Sequence, residues 1–306
     1  MNMKKIVSLF LTVLLSVSYS VGQGKANLLN AKTVAQIGVK SEEQIKADNT
    51  EKPLDYGITK DDDILWSKVV WEVIDLNQKI NHNYYFPIDS TLGSTRLSLY
   101  NTLNKALKQK KFKTYEDSYF IDQKPVEKIQ EELSAVCVKS QITETVSPAD
   151  FDHFKIKGIW FFDKRQGELK YRLLAIAPLI GFDAKKKCGI EEDRERSEMD
   201  GEEFVYPTPK VLRPLYWAYF PEVRQILHES KVFNSKNGSR PISYDHLLNS
   251  RRFSAIIVQE ENIYGNRAIE DYVRGNSLFQ LLEANKIKED IRNREMDMWN
   301  LDSSKT

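Results

Sequence analysis

An α+β fold, with helices flanking a small antiparallel sheet, is what the order of patterns along this chain predicts. Three observations carry that expectation. Residues 61–87, DDDILWSKVVWEVIDLNQKINHNYYFP, join three carboxylates suited to a helix start to apolar residues at helical spacing. Residues 155–162 and 169–178 are two apolar segments separated by Asp163-Lys164-Arg165-Gln166-Gly167, a hairpin pattern with Gly in a five-residue turn. Residues 266–299 then return to a helical period.

The first segment predicts an unusual helix. Placed on a helical wheel, Leu65, Trp66, Val69, Val70, Val73, Ile74, Leu76, Asn77 and Ile80 cover about half of the circumference, against roughly 100° for an ordinary surface helix. Such a helix needs neighbours on two sides. The remaining polar strip holds Lys68, Glu72, Asp75 and Lys79. Asp75 and Lys79 lie opposite Trp66, which suits a solvated or partner-facing role. Trp71 falls outside the apolar arc and suits either a second intramolecular layer or a subunit contact, where a buried Trp dominates interface energies. Residues 94–111 give a second helix, with Leu97, Tyr100, Leu103 and Leu107 at three- and four-residue spacing and Ser94 or Thr95 as cap. Its basic end, Lys108 to Lys113, complements the helix dipole. After the hairpin, residues 185–203 are dense in charge and carry two glycines, which reads as an exposed loop. Residues 211–221 form an aromatic strand, residues 222–228 and 244–251 two short helices, and residues 253–260 a further strand. The C-terminal helix closes the chain.

Length and composition fit one large domain or two small ones with ordinary cores: 306 residues, 41% hydrophobic and 29% charged. The start differs from the rest. Lys4 and Lys5 precede an apolar run at residues 6–17, and Ser20-Val21-Gly22 supplies the small-x-small pattern of a signal peptidase site. Residues 1–22 therefore read as a signal peptide cut before Gln23, since the run is shorter than the roughly 20 residues of a stable bilayer anchor. No cysteine stands at the cleavage site, where Gln23 follows Gly22. Residues 23–60 are polar, with Asn49 to Pro53 as a linker, and read as an arm that orders against a partner. Residues 61–306 form the globular part. Cleavage removes Lys4 and Lys5 and no acid, leaving 43 basic against 44 acidic residues, a net of −1 that gives no field for nucleic acid. The two cysteines, Cys137 and Cys188, would close a loop of about 50 residues, worth roughly 3–4 kcal/mol if paired in an oxidising compartment. Equally, Cys137 sits in an apolar run and fits a core position.

No catalytic or metal constellation emerges from spacing. His82, His153, His228 and His246 are scattered singly, with no H-E-x-x-H, phosphate loop, nucleophile elbow or zinc-type cysteine spacing. No cofactor is predicted. Two alternatives stay open: an exported hydrolase using Asp or Glu pairs that only the fold brings together, and a small-ligand module lined by Tyr and Trp.

One resemblance goes further. Asp63, Leu65, Trp66, Ser67, Lys68, Trp71, Val73, Ile74, Asp75, Leu76, Lys79, Asn81, Phe86 and Pro87 fit the pattern of the GldN family (PorN in other members). So do Glu283, Ala284, Ile287, Lys288, Ile291, Glu295, Asp297 and Trp299 near the end. Gln78 and Asn83 depart from it. The resemblance implies a non-enzymatic periplasmic ring subunit of the type IX secretion and gliding-motility machinery. It implies self-association in a ring, binding to the outer-membrane lipoprotein GldK (PorK) and contact from GldM (PorM). Trp66, Trp71, Asp75, Lys79 and Trp299 are the candidate interface residues.

Overall fold

The computed structural model describes residues 52–88, 96–137, 142–181, 212–234 and 242–300, together with positions 33 and 42. Its centre is a seven-stranded antiparallel sheet. Strand β1 (Ile64–Asp75) lies between β11 (Ile256–Glu260) and β5 (His153–Asp163). Next come β6 (Glu168–Ile180), β8 (Trp217–Tyr219) and β2 (Thr114–Tyr115), with β7 (Arg213–Pro214) also on β6. Two-stranded pairs stand apart: β3 (Ser134–Cys137) with β4 (Ile142–Thr145), and β9 (Lys231–Val232) with β10 (Ile242–Ser243). The helices longer than four residues are α1 (Leu99–Lys108), α2 (Val126–Leu133), α3 (Phe220–Glu229), α4 (Tyr244–Asn249) and α5 (Ser277–Asn300), and a short helical turn, Ile269–Tyr272, precedes α5. The α+β class expected from sequence is the class observed.

The first segment is the principal correction. Residues 61–87 do not form a helix: a 3-10 turn, Asp61–Asp63, leads into the twelve-residue strand β1, and helical turns follow only at Lys79–Asn81 and His82–Tyr85. Ile64, Val69, Val70, Val73 and Ile74 are β-branched and Trp66 and Trp71 aromatic, the residue types that fit a pleated surface. Both faces of the strand are covered. That removes the apolar–polar alternation of a half-exposed strand and leaves a broad apolar pattern that also fits a helical wheel.

On one face, Ile74, Phe154, Ile156, Leu173, Ile176 and Ala218 pack with Leu99, Leu103 and Leu107 of α1, Phe220, Val223 and Leu227 of α3, and Leu247 and Leu248 of α4. Further along the same face, Val70 and Ile257 meet Ile269 and then Ala284, Ile287 and Ile291 of α5, with Trp66 and Trp160 packed alongside. On the opposite face lie Trp71, Ala175, Ala177 and Trp217, joined by Val69, Tyr115 and Phe120. The loop after β2 covers that face. Trp71 Nε1–H donates to Ser118 Oγ at 3.0 Å, and Lys157 Nζ donates to the Ser118 carbonyl at 2.9 Å. The Lys157 ammonium also lies over the rings of Trp71 and Tyr119, at 4.9 and 4.3 Å.

Local chemistry explains the remaining ends. Helix α1 is capped by Ser98, whose Oγ accepts the Asn101 N–H at 3.2 Å; the expected caps Ser94 and Thr95 lie outside the described residues. The hairpin closes at Asp163 and Glu168, and Gly167 there takes φ +64°. Between Lys157 and Gly158 the β5–β6 register shifts, and Gly158 makes room for the Tyr171 ring: a Cβ at Gly158 would come within 2.1 Å of the Tyr171 hydroxyl. The aromatic strand expected at residues 211–221 is shorter, because Phe220-Pro221 opens α3. Residues 52–60, the described end of the arm 23–60 expected to order against a partner, carry no helix or strand and are held against the chain's own domain. The charged segment 185–203, the proposed cleavage site and Cys188, hence the pairing with Cys137, lie outside the described residues.

Two outcomes are expected. Trp71 is 2% exposed, so Trp71→Ala lowers folding stability by about 3–5 kcal/mol in urea unfolding. Burial also holds the hydroxyls of Tyr84, Tyr100, Tyr171, Tyr216 and Tyr244 well above the usual tyrosine range and pushes the Lys155 and Lys157 ammoniums down. The tyrosine contribution is complete below the unfolded tyrosine pKa of about 10 and is lost as pH climbs toward the folded values. The two lysines act oppositely, favouring the fold as pH approaches their unfolded value, but are outnumbered. Urea midpoints followed against pH should fall above about pH 10, with tyrosinate absorbance of these residues appearing only on unfolding.

Candidate interaction surface

The most constrained cluster on the helical face is built around Glu72, which sits in mid-β1 with only 4% exposure. Arg251 pairs with it through two charge-assisted hydrogen bonds, Nη1–H to Oε2 at 2.9 Å and Nη2–H to Oε1 at 2.8 Å. The Tyr171 hydroxyl donates to Oε2 at 3.4 Å. Three rings surround the guanidinium carbon, Trp160 at 4.9 Å, Tyr171 at 4.1 Å and Phe253 at 5.2 Å.

Arg251 reaches this position from the end of α4. Its N–H donates to the Leu248 carbonyl and the Arg252 N–H to the Leu247 carbonyl, the paired bonds of a Schellman cap. The capping residue takes φ +50°, a conformation that glycine adopts freely and that costs another residue roughly 1–3 kcal/mol. Arginine there trades backbone ease for a side chain that reaches the sheet. The cluster is a fastening device that joins β1, β6 and the end of α4.

The sequence-predicted interface residues do not form one surface. Trp66 and Trp71 project from opposite faces of β1: Trp66 packs half-buried in the α5 cluster, whereas Trp71 is the second intramolecular layer. Its enclosure removes it from the set of free anchors. Asp75 ends β1 and accepts the Asn77 N–H at 2.9 Å, with His153 Nε2 3.6 Å away. Lys79 is exposed on the following turn, beside the exposed side chains of Ile80 and Phe86. Trp299 lies at the end of α5, and its side chain is outside the described residues.

Other residues present themselves to a partner more openly. Leu278, Phe279, Leu281 and Leu282, in the first turns of α5, are all exposed, before Ala284, Ile287 and Ile291 turn the helix onto the sheet. Nearby in sequence, the loop 262–266 holds Ile263 at 92% exposure, with the Tyr264 ring tilted against that of Tyr272 at 5.7 Å. Burial raises the Tyr272 hydroxyl to about 12. Clustered exposed apolar side chains mark contact sites on soluble domains. Sequence periodicity could not separate them from core, because LFQLL in a helical run is the same signal whichever face is covered. Among the described residues no group of three or more His, Cys, Asp or Glu side chains is arranged to hold a metal ion, and no helix is long and apolar enough to cross a membrane.

A two-sided antiparallel sheet, covered by helices on one face and fastened by a buried ion pair, defines an α+β domain. The chain belongs to the family of gliding-motility-associated proteins GldN, whose model matches residues 59–300, nearly the whole described domain. No curated protein matches it.

Removing one member of the Glu72–Arg251 pair should cost more than removing both. Glu72→Leu alone leaves a guanidinium among three rings and is expected to lose about 3–5 kcal/mol, while Glu72→Leu combined with Arg251→Met should recover most of it. Urea unfolding of the double-mutant cycle measures the coupling; equal losses in single and double variants would remove the pair from its fastening role.

Proposed function

We propose that this protein is a non-enzymatic structural subunit of a periplasmic ring in the type IX secretion and gliding-motility machinery. In this reading it is bound to the outer-membrane lipoprotein GldK (PorK) and contacted by the periplasmic part of GldM (PorM). Family membership supports a role in gliding motility. Export is supported by the basic and apolar start of the chain, with its small-x-small site at residues 20–22. The observation that carries an assembly role is the exposed run Leu278, Phe279, Leu281 and Leu282 on α5. Apolar side chains displayed on a regular element supply the desolvated centre of a protein interface, with the charged residues around them as rim. A ring repeats one heterologous contact until it closes, so contacts of modest strength hold through multiplicity.

The test is gentle extraction of membranes, capture through a C-terminal tag, and measurement of the mass and composition of what is retained. A very large assembly holding a lipoprotein in near-equal amount is the expected result; recovery of the free monomer alone would overturn the ring reading. In parallel, Leu278→Asp with Leu282→Asp should abolish recovery of the assembly while the melting temperature of the isolated chain stays within a few degrees, since neither side chain belongs to the core.

A further inference from the structure

The segment 52–60 crosses the domain surface without joining the sheet. Its backbone is held by three arginines from three places: Arg224 of α3 donates to the Leu54 carbonyl at 2.6 Å, Arg172 of β6 to the Gly57 carbonyl at 3.0 Å, and Arg165 of the β5–β6 turn to the Ile58 carbonyl at 2.8 Å. Tyr56 is the anchor between these hooks. Its ring lies under the guanidinium carbons of Arg224 and Arg172, at 4.1 and 4.8 Å, and its hydroxyl donates to Asn249 Oδ1 at 2.8 Å.

The clamp is built independently of the segment it holds. Arg224 is fixed by Asp245, with Nε–H to Oδ1 at 2.9 Å and Nη2–H to Oδ2 at 3.3 Å, and Asp245 is itself fixed by Asn249. Arg165 is paired with Asp63 at 3.0 Å, and Arg172 lies over Phe161. Arg224 therefore stays aimed when the segment leaves, and Arg165 stays paired to the turn at the segment's end. The segment, by contrast, commits little to the core: Leu54 is 83% and Ile58 87% exposed. Recognition of carbonyl oxygens at three positions plus one aromatic side chain is recognition of an extended peptide.

We propose that Arg165, Arg172, Arg224 and Asn249 form a binding site for an extended peptide, filled within one chain by residues 52–60 and filled between chains by the same segment of a second copy. On its C-terminal side the segment joins β1 through the turn Asp61–Asp63, outside the sheet, so its departure would leave the strand pairing of β1 in place. Exchange of identical elements between copies needs no new complementary surface. The site stands whether or not the ring reading holds.

A fluorescent peptide copying residues 52–60 tests it against the full chain. Tyr56→Ala, which removes the anchor of the chain's own segment, should give a saturable rise in anisotropy, and the wild-type chain should bind about tenfold more weakly because its site is already occupied. Adding Arg172→Ala to that acceptor, or changing the peptide's tyrosine to alanine, should abolish binding. Unlabelled full chain carrying Arg165→Ala and Arg172→Ala, which keeps its segment and loses its clamp, should displace the peptide. Gly57→Pro provides a second emptied acceptor should Tyr56→Ala lower the melting temperature. Absence of binding by an acceptor that melts like wild type would overturn the peptide site. Peptide binding that the clamp-deficient full chain fails to compete would overturn exchange between copies.

Discussion

The bidentate bond between Glu72 and Arg251 is the constraint around which the other contacts of the domain are arranged. A carboxylate in the middle of a two-sided sheet is costly unless its lone pairs are met, and each unmet charge carries a penalty of several kcal/mol. Meeting it ties together elements far apart in the chain. Glu72 belongs to β1, Arg251 to the end of α4, Tyr171 to β6, and Trp160, packed on the guanidinium, to β5. Tyr171 in turn lies across Gly158, where a Cβ would collide with its ring. The glycine, the register shift beside it and the left-handed arginine are consequences of one requirement: a guanidinium and a phenol must both reach the same carboxylate.

The opposite face solves the same covering problem with a loop in place of helices. Residues 116–123 have no regular structure beyond a bridge from Tyr115 to Gln123, yet they bury Trp71 through one indole hydrogen bond and bring the Ser118 carbonyl to Lys157. A lysine between two aromatic faces keeps its methylene stem packed and its ammonium partnered, a substitute for a hydrophobic plug that also fixes the loop's register.

These arrangements account for what could be read from the sequence. The β5–β6 hairpin was legible because its two apolar runs flank a five-residue turn ending in glycine, a local signal. The C-terminal helix was legible from Ala284, Ile287 and Ile291 at helical spacing. Strand β1 was misread because coverage on both faces erases period-two alternation, and periodicity alone cannot separate a fully buried strand from a broad-faced helix. The Glu72–Arg251 pair spans 179 residues and leaves no local trace. Trp66 and Trp71 stand out in the sequence as large apolar residues, but which face each takes follows from the element type, and on a strand they fall on opposite faces.

The exposed apolar side chains gain meaning from how firmly they are held. Ile263 projects from a loop in which Asn262 Oδ1 accepts the Tyr264 N–H at 3.1 Å, Asn266 Oδ1 accepts the Asn262 N–H at 3.1 Å, and Asn266 Nδ2 reaches the Tyr119 hydroxyl at 3.2 Å. Gly265 and Asn266 both take positive φ to close it, at +76° and +59°. A flexible loop carrying the same isoleucine would lose conformational freedom on meeting a partner, at roughly 0.5–1.5 kcal/mol for each side chain immobilised. Here part of that cost is met during folding, by hydrogen bonds that also fasten the loop to the cover over Trp71. The loop that presents Ile263 is thus tied by hydrogen bonds to the cover over Trp71. In the assembly role proposed above, contact points held in place by the fold are what a subunit would need, and the Glu72 cluster and the Asn262–Asn266 network are two such points of fixation.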